Sequence, residues 1–144
     1  MEIEVIKNLI KEAIEARKNA YTPYSHFTVG AAILSKSGKV YRGCNIESVS
    51  YTPTTCAERV ALLKAVSEGE REFEMLAVIG GPEGTEVDRA NEMPTDGPCG
   101  VCRQFIYEFG KDIKIIVANS TEKYYVKTIS ELYPNGFGPE ALAE

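Results

Sequence analysis

The chain is short of the features that mark whole classes of protein. It has a single histidine, His26, and four cysteines in 144 residues. That histidine, set in a turn before a strand, reads as a surface or otherwise satisfied residue. A nucleophilic cysteine would have to take it as its only base. Clustered basic residues are missing: 16 Lys and Arg stand against 21 Asp and Glu, for a net charge of −5. Proteins that grip polymeric nucleic acid present a basic stripe to the phosphates, so the balance favours a small, weakly charged substrate instead. No apolar run approaches the roughly 20 residues that span a bilayer, which argues against a membrane partner. The start, Met1-Glu2-Ile3-Glu4, is acidic and lacks the basic end and apolar stretch of a signal peptide. The expectation is a cytoplasmic protein, whose cysteines serve as metal ligands or free thiols more readily than as disulfides.

What is present fits one globular domain over residues 1–144, with 44% hydrophobic and 26% charged residues. Residues 2–20 place Ile3, Ile6, Ile10, Ala13, Ile14 and Ala20 near helical spacing, which predicts an amphipathic helix ended by Pro23. Phe27 to Leu34 and 39–44 read as a hairpin around Ser35-Lys36-Ser37-Gly38. Thr52-Pro53-Thr54-Thr55 reads as the capped entry to a helix that runs to Gly69 and holds Cys56 in its first turn. The apolar run 75–79 predicts a buried central strand, followed by a long polar segment from Gly80 to Gly97 that is either a lid or a surface insertion. Pro98 fits the first position of the next helix, with Cys99 and Cys102 on one side of its first turn and Gly110 at its end. Strands at 114–118 and 124–127 and an irregular tail complete the chain.

The chemistry concentrates in Cys56-Ala57-Glu58-Arg59 and Pro98-Cys99-Gly100-Val101-Cys102-Arg103-Gln104. Three thiolates leave the fourth position of a tetrahedral zinc open for water, the layout of a catalytic centre. Glu58 lies too close along the chain to Cys56 to be an obvious ligand and is placed as a proton carrier. Three thiolates and Zn2+ sum to −1, which weakens the metal as a Lewis acid. Arg59 and, with less claim, Arg103 are candidates to offset it. Asn45 and Glu47 flank Ile46 and project the same way, either in an ordinary polar loop or as part of a site. Rival readings remain open at this point. Cys44 could close a structural four-Cys zinc, Cys56 could act as a nucleophile, or Cys99 and Cys102 could form a redox pair.

A ligand-x-Glu followed by Pro-Cys-x-x-Cys resembles the zinc nucleobase deaminases. Together with Tyr24-Ser25-His26-Phe27-Thr28-Val29-Gly30-Ala31-Ala32, Gly43-Cys44-Asn45-Ile46-Glu47 and the tail from Leu132-Tyr133-Pro134 to Phe137-Gly138-Pro139, it resembles the small three-cysteine branch of the cytidine deaminases. The resemblance implies a three-layer α/β/α fold on a five-stranded mixed sheet and a homotetramer with shared active sites. It implies one zinc per subunit on Cys56, Cys99 and Cys102, no organic cofactor, and a place in pyrimidine salvage. It makes Glu58 the proton shuttle and Asn45 and Glu47 the holders of the ribose 3′-hydroxyl. Phe27 would pack on the base, Ala57 would touch the substrate, and Arg59 would hydrogen-bond the ligand sulfurs. Phe137 would close a pocket, often that of a neighbouring subunit. The implied activity is deamination of cytidine and deoxycytidine, with a cytosine-nucleoside antibiotic such as blasticidin S, or a non-catalytic structural zinc, as the alternatives. Thr52-Pro53 stands where the family usually has a Gly-Leu pair, and the segment 80–97 is longer than in the family. Both bear on the substrate more than on the reaction.

Overall fold

The computed structural model describes residues 2–85 and 97–142. Helix α1 (Glu2–Arg17) opens with Glu2 and Glu4 and closes with Arg17, each sign complementing the helix dipole. It buries Ile6, Leu9, Ile10, Ala13 and Ala16 on one face. It ends before the expected Ala20, because Lys18, Asn19 and Ala20 donate to the carbonyls three residues back and tighten the last turn. Strands β1 (Phe27–Ser35) and β2 (Val40–Cys44) form the expected hairpin. Helix α2 (Ala57–Ser67) ends ahead of Gly69, whose φ of 102° supplies the left-handed residue that stops it. Strand β3 (Phe73–Pro82) runs three residues beyond the expected apolar core, pairing along β1 as far as Phe27. Residues 86–96 of the long segment read from the sequence lie outside the described residues. Helix α3 (Gly100–Tyr107), strands β4 (Lys114–Ala118) and β5 (Tyr124–Thr128), helix α4 (Ile129–Leu132) and a 3-10 turn (Pro139–Ala141) follow.

The sheet order is β2-β1-β3-β4-β5, antiparallel throughout except for the β3–β4 pair. Alternate side chains of the central strands feed two cores. Ala32, Met75, Ala77, Ile79 and Ile116 meet α1, whereas Ala31, Ile33, Leu76, Val78 and Ile115 meet α2 and α3 on the other face. This is the expected three-layer α/β/α arrangement on a five-stranded mixed sheet. Burial of a side chain such as Ile10, 0% exposed, stabilises by about 1.5–3 kcal/mol. The parallel β3–β4 pair matters for function, because ligands gather beyond the carboxyl ends of such strands.

Candidate active site

The carboxyl ends of β3 and β4 and the amino ends of α2 and α3 converge on a cavity of about 220 Å³. Its wall is mainly apolar, from Phe27, Val29, Val78, Ile79 and Ala118, and its polar groups are the side chains of Glu58, Asn45 and Asn119 with Cys56 and Cys99. Cys56 and Cys99 are each the N-cap of their helix, one position earlier than the sequence suggested for Cys56. Pro98 accordingly precedes the cap instead of opening the helix. The Thr52–Thr55 hydroxyls do not cap α2; Thr55 Oγ1 donates to Pro53 O and Thr54 Oγ1 accepts from Ser48 N–H.

The sulfurs of Cys56, Cys99 and Cys102 lie within 4.8 Å of one another, with Cys56–Cys99 at 3.7 Å and Cys99–Cys102 at 3.4 Å. Tetrahedral zinc with Zn–S bonds of about 2.3 Å holds its sulfurs roughly 3.8 Å apart, so the spacing fits the metal. Hydrogen bonds from Cys102, Arg59 and Cys99 bring the Cys56 thiol down to about 5, against its burial. The same hydrogen bond to Cys56, together with burial and the Glu58 charge, pushes the Cys102 thiol up. Zinc takes its sulfurs as thiolates, so a bound dication would release the thiol protons. Arg59 Nη2 donates to Cys56 Sγ at 3.5 Å, and its buried Nε has no acceptor among the described residues. A cation pressed against thiols, with a donor to spare, suits a centre of surplus negative charge.

Glu58 is 5% exposed, and burial pushes its carboxyl up to about 7. A carboxyl that titrates near neutrality both accepts and donates protons at working pH. Asn45 Oδ1 accepts from Val29 N–H at 2.8 Å, and its Nδ2 donates to Phe27 O at 2.9 Å. Glu47 does not enter the cavity. It borders a neighbouring hollow with Tyr24, Ser25, Tyr51 and Thr54, where Oε1 accepts from the Tyr24 and Ser25 amides and Oε2 from the Ser25 hydroxyl. Ala57 and Phe27 line the cavity. Phe137 is not brought to it: the ring is 59% exposed, and its carbonyl accepts from Gln104 Nε2.

The remaining residues fall as follows. Arg103 does not serve the thiolates; Nε donates to Pro98 O and Nη1 to Leu132 O, bracing the loop before Cys99. Cys44 stays outside the sulfur cluster, its thiol raised by burial. Asn119, buried just past β4, lines the cavity beyond the residues singled out by the sequence motifs. Its signal was a polar residue at the carboxyl end of an apolar strand run. His26 sits at the surface against Glu83, as expected.

The sequence pattern of the cytidine and deoxycytidylate deaminase zinc-binding region matches residues 3–119. Over 135 residues the chain is 47% identical to a cytidine deaminase of Halalkalibacterium halodurans, covering 93% of this chain and 95% of that one. It is 33% identical to the blasticidin-S deaminase of Bacillus cereus, over 88% and 87% of the two. The crystal structure of cytidine deaminase from Burkholderia pseudomallei superposes with a TM-score of 0.79 at 40% identity, covering 90% of this chain and 97% of that one. Agreement of this extent, in sequence and in fold, admits one conclusion: the chain belongs to the cytidine and deoxycytidylate deaminase family.

Proposed function

We propose that this chain hydrolyses the exocyclic amine of cytidine and deoxycytidine, releasing ammonia and leaving uridine or deoxyuridine. The observation that carries the reading is buried Glu58 beside three convergent thiols in one small cavity. One zinc, held by Cys56, Cys99 and Cys102, supplies a Lewis acid that makes water nucleophilic toward C4 near neutral pH. Glu58 takes one proton of the attacking water and delivers it to N3, where it stays in the uridine, then carries the second from the new C4 hydroxyl to the amine, which leaves as ammonia. Arg59 moderates the negative charge of the thiolates through its bond to Cys56. Phe27 and Ala57 wall the base.

Asn45 in the cavity and Glu47 in the neighbouring hollow read the sugar, which lies across the two. Asn45 spends one N–H on Phe27 O, and its second N–H remains to meet a ribose hydroxyl. The Glu47 carboxylate keeps one lone pair, on Oε2, beyond those used by Tyr24 and Ser25. Phe137, exposed and not part of its own cavity wall, closes the pocket of a neighbouring subunit in a homotetramer. Residues 1–144 act as one catalytic domain in cytoplasmic pyrimidine salvage, consistent with four free thiols and with no described helix long and apolar enough to cross a membrane.

The similarity to a blasticidin-S deaminase favours a second reading, in which the same thiols and Glu58 act on that antibiotic. Ammonia release from zinc-loaded protein separates the two. Turnover of cytidine and deoxycytidine, with far slower turnover of free cytosine, is expected. Equal rates on cytosine would remove the sugar-reading role of Asn45 and Glu47, and turnover of blasticidin S alone would replace the substrate.

A further inference from the structure

The contact that sets the depth of the helix bearing Glu58 lies behind the cavity. Gly43, next to last in β2, faces the first turn of α2. A Cβ on Gly43 would lie 2.4 Å from Ala57 O, 2.4 Å from Ala61 N and 3.0 Å from Ala61 Cα. These are backbone atoms, which cannot swing aside as the end of a side chain can, so the turn itself would have to retreat. Ala57, Ala61 and Ala65 recur every fourth residue and are all 0% exposed, so α2 rests against the sheet as closely as its backbone permits. That first turn follows Cys56 and carries Glu58 and Arg59, whereas Cys99 and Cys102 belong to α3. Any retreat of α2 therefore separates Glu58 and one sulfur from the other two.

We infer that Gly43 is a positioning residue: its missing side chain fixes the depth of the first turn of α2, and so the placement of Glu58 and Cys56 against the α3 thiols. The inference rests on the deaminase reading for its kinetic consequences and on the thiol cluster for its metal-binding ones. A displacement of about 1 Å in a catalytic group can lower turnover about 100-fold without abolishing binding.

The structure supplies its own control. Gly30 in β1, paired with Cys44, is at least as tight against α1: a Cβ there would lie 2.0 Å from Ala13 O and 2.6 Å from Arg17 N. Helix α1 packs on the opposite face and carries none of the proposed site residues. Gly43→Ala and Gly30→Ala are thus comparable steric insults, one on the face of the sheet that carries α2 and one on the opposite face. Ala61→Ser and Ala13→Ser apply a milder push on the same two interfaces, should the glycine variants fail to fold.

The measurements are kcat and KM on cytidine, melting temperature, and the rate at which a chromogenic chelator extracts zinc. Gly43→Ala, or Ala61→Ser in its place, should lower kcat about 10- to 100-fold, leave KM within about threefold and speed zinc release about tenfold. The α1 partner variant should lose melting temperature alone, with kcat within about twofold of wild type. Wild-type kcat and zinc release in the α2-side variant would overturn the inference, as would kcat falling in step with melting temperature in both. A wild type inactive on cytidine would remove the deaminase reading, and the zinc-release comparison would still decide the role of Gly43.

Discussion

At the scale of single residues, the site depends on three sulfurs that look alike in sequence and differ in surroundings. Cys56 accepts hydrogen bonds from Cys102 and Arg59 that lower its thiol, while Cys102 is fully buried and its thiol is raised. Cys44 is half-buried at the end of β2 and outside the cluster. Zinc content of Cys44→Ala should therefore stay at one per chain by atomic absorption, and loss of the metal would favour a four-thiolate structural centre. The cysteines and Glu58 were legible in the sequence because ligand spacing is a property of the local chain. The partners of Arg103 were not. Whether its guanidinium meets a thiolate or the Leu132 carbonyl depends on where α4 packs, which adjacent residues do not encode. Asn119 escaped for the same reason: its burial follows from the parallel pairing of β4 with β3.

At the scale of elements, periodicity located the three longer helices and all five strands. It missed at boundaries and in short pieces. Helix α4 is only four residues long, below the length at which a periodic face can show, yet Thr128 and Glu131 form a capping box that the sequence displays. The hairpin shows how side chains tie elements together. Glu70, just after α2, accepts hydrogen bonds from Ser35 Oγ at 2.6 Å and from Ser37 Oγ and Tyr41 Oη at 2.8 Å. These bonds favour the ionised form and hold the Glu70 carboxyl below the usual carboxylate range. A group whose pKa is depressed by folding contributes stability above its unfolded value of about 4.3, and that stability is lost as pH falls through the folded value. Thermal melts between neutral pH and pH 3 should thus show wild type losing its advantage over Glu70→Gln on acidification. Parallel curves would mean that Glu70 does not link the hairpin to α2.

At the scale of the whole molecule, the sheet decides what the helices can do. Its single parallel pair puts two strand ends and two helix starts at one edge of the fold, and the three thiols meet there from segments more than 40 residues apart in sequence. Around that edge Tyr21, Tyr24, Ile46, Val49 and Tyr51 expose large apolar side chains, and Phe137 exposes its ring. Covering such surface is what association offers, and the proposed homotetramer predicts a solution mass four times 15.8 kDa by light scattering. A mass of one chain would leave Phe137 without a pocket to close. The layers and the mixed sheet were legible through family resemblance and alternation, whereas the association of subunits lies in surface shape that alternation does not carry.

The central claim is that Glu58 moves protons beside a zinc held by Cys56, Cys99 and Cys102. Glu58→Gln keeps the size of the side chain and removes its ability to carry a proton. Metal content and ammonia release from cytidine, measured on the same folded sample, test the claim directly. The account predicts one zinc per chain and turnover lowered by about 100-fold or more. Turnover near that of wild type would contradict it.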